Sequence, residues 1–331
     1  MGLINKGKNM KDADYIYAVA CIRTKEKNLL KDSDIQTISG LSSESAVITY
    51  LTERGWGTHD TKDAEQLLSM EEAKTGQVLT ELGVGEDITD ILMFRQYFHN
   101  LKTAVKQVCT GIEDPKAYYK SSRFDGEKLK LIIRENSFEQ LPEYMRKSAE
   151  KAKDVMLTTR DGQRCDSIID KACLDAMISE AHKTNDSFLI NYAESKVAAA
   201  DIKVAVRGCF TDKSYDFILE ALSPCKAFDV KALAKAAAEG KDELLTFLSK
   251  SDYSEAAEAI SESFSSFEKW CDDFMIRKIL EQKTNIQSVG PIVAYYLARQ
   301  NEIQMVRIIL TAKANGFPDQ TISERVRKMY G

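Results

Sequence analysis

Apolar residues recur at helical spacing along most of the chain. Residues 87–109 set Ile88, Ile91, Leu92, Phe98, Leu101, Ala104, Val105 and Val108 on one stripe. Asp87 is placed to cap that helix, and Gly111 lies just past its end. At 1.5 Å per residue it would run roughly 33 Å. Similar runs open near Asp14, Ser43, Asp63, Asp125, Pro142, Asp166, Asp186, Asp229, Ser254, Phe267 and Pro291. A last helix is expected to begin at Thr321, with Thr321 and Glu324 forming a capping box. Only residues 46–51 (AVITYL) have strand-like propensity, and Glu44 and Glu53 around them suit a helix equally well. Turn residues at Gly55–Gly57, Gly83–Gly85, Asp161-Gly162, Ser223-Pro224 and Gly316–Pro318 punctuate the runs. The pattern predicts an all-α fold.

Three of these helices resemble one another. They read RQYFHNLKTAVKQV (95–108), KVAAADIKVAVRGC (196–209) and ARQNEIQMVRIIL (298–310). With Leu101, Ile202 and Ile303 aligned as the anchors of a structural seam, Asn100, Asp201 and Glu302 precede the anchor and Lys102, Lys203 and Gln304 follow it. On a helix these two positions flank the stripe on opposite sides, so each copy is expected to carry an apolar seam between polar flanks. A second echo joins IDKACLDAM (169–177) to FEKWCDDFM (267–275). The third copy departs most: Arg307 stands where Val105 and Val206 stand, and Arg299 falls inside the stripe, as if at a local interface.

Composition narrows the class. At 331 residues the chain is long enough to bury about 75% of its unfolded surface, in two or three domains. Gly (16) and Pro (5) are too scarce for a turn-dense β protein or a disordered one. The net charge of −5 is spread along the chain without a basic stripe, which argues against nucleic acid as a partner. No apolar run approaches the roughly 18 residues that span a bilayer, so no direct membrane insertion is expected. The polar start carries no signal-peptide core; Met10 reads as a plausible start, with residues 1–9 a disordered lead. Seven scattered cysteines with no C-x-x-C pair fit a reducing, cytoplasmic compartment, most of them as small core residues.

Catalytic signatures are missing or incomplete. There is no phosphate-cradling G-x-x-x-x-G-K-[ST], and the two G-x-G doublets lack the third glycine and a preceding strand. G-x-S-x-G and H-E-x-x-H are absent. His59-Asp60 would suit an HD-type metal hydrolase only with a further histidine upstream, and there is none, so it reads as a loop. His99 lies opposite its stripe and reads as solvated or at an interface; His182 reads as a partner for a helix C-terminus. The adjacent pairs Glu71-Glu72 and Asp272-Asp273 point to different helix faces and read as solvated surface. Trp56, Trp270 and Tyr295-Tyr296 read as core rather than a cofactor pocket. No catalytic, cofactor-binding or metal residue is assigned.

Segments 14–38 (DYIYAVACIRTKEKNLLKDSDIQTI), 97–111 (YFHNLKTAVKQVCTG), 200–208 (ADIKVAVRG), 293–318 (VAYYLARQNEIQMVRIILTAKANGFP) and 322–331 (ISERVRKMYG) together resemble the C subunit of V-type (A-type) ATP synthases, the counterpart of the eukaryotic V-ATPase d subunit. The resemblance covers essentially the whole chain from Asp14. It implies three similar V-shaped helical domains with pseudo-threefold symmetry, forming a funnel. Their boundaries would fall near 10–118, 119–224 and 225–331, with the terminal helices open to sharing between domains. It also implies a non-catalytic socket, without cofactor, on the cytoplasmic face of the membrane. Its partners would be the D and F axle subunits and the proteolipid rotor ring. Two other readings stay open: a generic all-α scaffold, and a helical hydrolase built on His59-Asp60. A solenoid scaffold would repeat at about 20–50 residues, whereas the echo here is near one hundred.

Overall fold

Asp and Ser residues in extended backbone start eight of the helices, each accepting a bond from an N–H that the helix itself leaves free. In the computed structural model, which describes residues 12–119 and 123–331, Ser43, Asp63, Asp125, Asp161, Asp186, Ser214, Asp229 and Ser263 all do this. The expected lead, residues 1–9, lies outside the described residues. Sixteen α-helices and no strand occur among the described residues, so the all-α fold holds. Residues 46–51 are helical.

Two compact units form. One comprises the described residues up to Gly85 together with Glu258–Gly331, and the other the described residues of Glu86–Ala257. The first contains α1 (Asp12–Glu26), α2 (Asp32–Ser39), α3 (Glu44–Glu53) and α4 (Ala64–Glu81). The second contains α5 (Glu86–Thr110), α6 (Gly126–Glu135), α7 (Glu143–Thr158), α8 (Gly162–Thr184), α9 (Ser187–Phe210), α10 (Tyr215–Ala221), α11 (Val230–Glu239) and α12 (Lys241–Ser249). The division falls inside α13 (Ser254–Glu262), after which α14 (Phe264–Leu280), α15 (Gly290–Ala314) and α16 (Asp319–Arg325) return to the first unit.

In the first unit α15 is the axis: α1, α2, α3, α4, α14 and α16 all pack on it. Its Ile303, Val306, Ile309 and Leu310 meet Ile35, Val47, Leu51 and Leu67. In the second, α5 and α7 pack against α8, and α9 lies against α8 and α11. Phe94, Phe98, Leu101 and Val105 of α5 join Met145, Ala149, Ile169 and Met177 there, with Phe94 and Tyr144 edge to face at 5.0 Å. Residues 326–331 run on past α16 without helix. Asp32 Oδ1 accepts from Met329 N–H at 2.9 Å, and Tyr330, buried, donates its hydroxyl to Glu26 Oε1 at 3.0 Å.

Several boundaries differ from the sequence pattern. α8 starts four residues before Asp166 because Asp161, read there as a turn, caps it by accepting from Arg164 N–H at 2.9 Å. Ser263 does the same for α14, three residues ahead of Phe267. α5 begins at Glu86, so Asp87 lies inside the first turn, where its charge still suits the helix dipole. The capping box at Thr321 does not form: Pro318, with φ already near the helical value, starts α16 at Asp319, and Thr321 is inside the helix. The short helices α2, α10 and α12 had no clear periodic signal. α11 and α12 are separated by the single residue Gly240, whose φ of 136° a side chain would not tolerate.

Candidate functional site

The three long helices α5, α9 and α15 bury their aligned anchors: Leu101 and Ile202 are fully enclosed and Ile303 is 3% exposed. The residues one position earlier are enclosed as well. Asn100 and Asp201 are 0% exposed and Glu302 1%, although the sequence pattern placed them on a polar flank. Burying a polar group is costly unless it is hydrogen-bonded, and each of these holds the backbone of a non-helical segment.

On α5, Asn100 Nδ2 donates to Tyr119 O (3.0 Å) and Phe124 O (3.1 Å), and Oδ1 accepts from Tyr119 N–H (2.9 Å). Two turns on, Gln107 Nε2 donates to Asp114 O at 2.9 Å and its Oε1 accepts from Tyr118 hydroxyl at 3.1 Å. His99 completes the grip: Nε2 lies 2.9 Å from Ala117 O, and its ring meets Tyr119 edge-on at 4.9 Å. The stripe left His99 solvated or at an interface, and it lies half-buried against the return segment.

On α9, Asp201 Oδ1 accepts from Ser223 N–H at 3.0 Å. Glu194, two turns earlier, accepts from Lys226 N–H at 2.8 Å and lies 3.3 Å from His182 Nε2. The His182 ring thus faces Glu194 instead of its own helix terminus, where it is the backbone carbonyl that receives Asn185 N–H. Burial pushes the Asp201 carboxyl up to about 7, against the pull of Ser223 N–H and Lys171.

On α15, Glu302 Oε1 accepts from Leu30 N–H at 2.5 Å, and Oε2 pairs with Arg299 Nη1. Arg299 Nη2 reaches Glu71 Oε2 at 2.5 Å, and the guanidinium lies over Trp56 at 4.7 Å. Glu71 Oε1 accepts from Gly57 N–H (2.8 Å) and Lys74 Nζ (2.6 Å). Burial raises the Glu302 carboxyl to about 7, opposed by Arg299 and Leu30 N–H. This network corrects two sequence readings. Arg299 serves a buried ion-pair cluster and not an interface, and Glu71 is 2% exposed instead of solvated, because its helix neighbours bring two cations to it. Arg307 is also satisfied internally, by Glu72 at 2.9 Å.

The second echo carries clasps too. Lys171–Asp175 (3.0 Å) and Lys269–Asp273 (3.2 Å) are equivalent pairs within α8 and α14. Asp272 and Asp273, read as solvated surface, accept from Arg327 Nε (3.0 Å) and Lys328 N–H (2.7 Å) and so hold the 326–331 segment. On the seam's other flank, Lys102 pairs with Asp170 at 2.7 Å, while Gln304 is exposed. Trp56, Trp270, Tyr295 and Tyr296 are buried in the core. Of the seven free cysteines only Cys165 and Cys271 are buried; the other five are half-buried, fewer in the core than their number suggested. His59 sits in an exposed turn. Among the described residues no group of three or more His, Cys, Asp or Glu is placed to hold a metal ion. Chemically, the buried carboxylates face backbone N–H groups and cations, an arrangement that fastens segments together.

The model of the ATP synthase (C/AC39) subunit family matches residues 18–325. The chain belongs to that family. Among curated relatives, the C subunit of the V-type sodium ATPase of Enterococcus hirae is 24% identical over 277 residues, covering 81% of this chain and 83% of the relative. The C subunit of the A-type ATP synthase of Methanobrevibacter smithii is 26% identical over 175 residues, covering 48% of this chain and 45% of the relative. The family match takes in all three long helices and their buried polar positions. No helix among the described residues is long and apolar enough to cross a membrane. What sequence reasoning missed was the burial of Asn100, Asp201, Glu302 and Glu71. For the first three, the one available signal was position: polar residues at an identical offset from three aligned anchors.

Proposed function

We propose that this family member is the non-catalytic socket of a rotary V-type ATPase, joining the central axle to the membrane rotor ring. The observation that carries the reading is the set of three long helices, 25, 24 and 25 residues long, each locked to a return segment by a buried polar residue. Such packing resists deformation, which a part that transmits torque must do. Its partners would be the D and F axle subunits on one side and the proteolipid ring on the other, at the cytoplasmic face. The same reading divides the chain into three helical repeats with boundaries near residues 118 and 224, and one long helix in each supports it.

A wet, charge-bearing contact with the ring tolerates mismatched symmetry better than apolar interlocking does. Binding to the ring should therefore weaken as salt rises and the Debye length shrinks from about 30 Å at 0.01 M to about 3 Å at 1 M. The deciding assay reconstitutes head, axle, stator and ring with and without the protein. Without it, ATP hydrolysis should continue but uncoupled from ion transport. Equal ATP-driven pumping in its absence would leave only a scaffold.

A further inference from the structure

Asp201 is the odd member of the three equivalent positions. Asn100 has partners for both ends of its amide, and both Glu302 oxygens are held. Asp201 is just as enclosed, yet its Oδ2 finds no hydrogen-bond partner among the described residues. Once ionised, it would be an enclosed anion served by a single N–H donor, a state that burial strongly disfavours. The cover above it is residues 222–229, a non-helical stretch between α10 and α11. That stretch is fastened to α9 through Ser223 N–H on Asp201 and Lys226 N–H on Glu194. A second tie, from Ser223 Oγ to Lys171 O, is long at 3.4 Å.

We propose that Asp201 is a proton-operated latch: protonated, it stays enclosed beneath residues 222–229, and deprotonated, it drives that segment open so that water reaches the carboxylate. Helices α8, α10, α11 and α12 pack against α9. From α8, Lys171 and Asp175 act on the carboxyl with opposite signs and are paired with each other at 3.0 Å. Among the described residues, Cys225 of the covering segment is the further titratable neighbour, and the ionisable groups of α10, α11 and α12 do not act on it. The charges around it therefore largely cancel, and burial dominates. With the closed-state carboxyl near 7, the latch works close to neutrality.

The closed state keeps its proton to higher pH than the open state does, so opening becomes more favourable as pH rises from about 4 to 7 and levels off beyond. Hydrogen exchange on the full chain reads this directly. After correction for intrinsic exchange, protection of the Ser223 and Lys226 amides should fall by up to about fiftyfold between pH 5 and 7, then flatten. Asp201→Asn, which places here the residue found at the equivalent position on α5, should abolish that fall. An identical pH dependence in the variant would overturn the latch, as would unchanged protection in the native chain. A measurement free of mutation guards against a folding defect. The carbon chemical shift of the native Asp201 carboxyl should titrate near 7, and a midpoint near 4 would refute the proposal.

Discussion

Arg299→Met tests the buried network of the first unit most sharply. The methionine keeps an unbranched apolar stem beside Trp56 but removes the guanidinium that joins Glu302 to Glu71. Both carboxylates are nearly inaccessible, with side-chain exposures of 2% and 3%. Removing one partner of a buried pair costs about 3–5 kcal/mol, because the other charge stays behind uncompensated. Lys74 still neutralises part of Glu71, which favours the lower end of that range. Both tryptophans of the chain, Trp56 and Trp270, belong to this unit, so urea unfolding followed by tryptophan fluorescence reports on it selectively. Glu302→Gln retains an acceptor for Leu30 N–H and loses only charge, so it should cost less than half as much. The pH dependence supplies a second check. Burial already raises the Glu302 carboxyl, and loss of Arg299 raises it further above its unfolded value. The variant then gains stability relative to native as pH falls, and its deficit should be smaller at pH 5 than at pH 8. A loss under about 1 kcal/mol, or one equal at both pH values, would show that the network is not held by charge.

Leu101→Asp and Ile202→Asp each place an unpaired charge in a fully enclosed site and should destabilise the second unit by more than about 4 kcal/mol in circular-dichroism melts; effects as mild as those of surface changes would show the seams to be misplaced. His99→Ala removes the contact to Ala117 O and the edge-on packing against Tyr119, and should cost about 1–2 kcal/mol; no change would restore the solvated reading. Zinc or manganese should leave the melting temperature unchanged, since a ligand stabilises only a state that it binds. A large shift abolished by His59→Ala would instead revive the hydrolase reading.

The helices were legible because their stripes repeat over many turns, and Asp63, Asp125, Asp186 and Asp229 announce starts that the structure confirms. Where the reading slipped, two physical demands competed for the same residue. Asp161-Gly162 carries a turn signature, yet an aspartate in extended backbone is also the preferred N-cap, and the helix won. Pro318 supplied the helical φ that made a side-chain cap at Thr321 unnecessary. The buried polar residues were invisible for another reason. A periodicity reading assigns charged residues to solvent, and their partners lie far away in sequence: Leu30 for Glu302, Arg299 for Glu71. The local partners, Arg299 for Glu302 and Lys74 for Glu71, stand at an i,i+3 spacing that serves an exposed face equally well, so they do not mark burial.

That same failure strengthens the case for threefold repetition. Apolar stripes resemble one another readily, because any amphipathic helix must produce one, so the likeness of three stripes says little about common origin. A polar side chain inside the core is disfavoured wherever it occurs, so its recurrence needs a cause common to each place. At Asn100, Asp201 and Glu302 the spacing is 101 residues each time, and the partner each time is backbone from a non-helical stretch. The side chains differ in length and charge while the task stays the same, as expected if the task and not the residue was retained. The three then diverge in how completely they are satisfied: an amide bonded at both ends, a carboxylate held by an arginine, and a carboxyl with one free oxygen. Burial raises both carboxyls toward 7, but Glu302 keeps an arginine to offset its charge, whereas Asp201 has only one N–H, so a segment released by loss of a proton would belong to the one left incomplete.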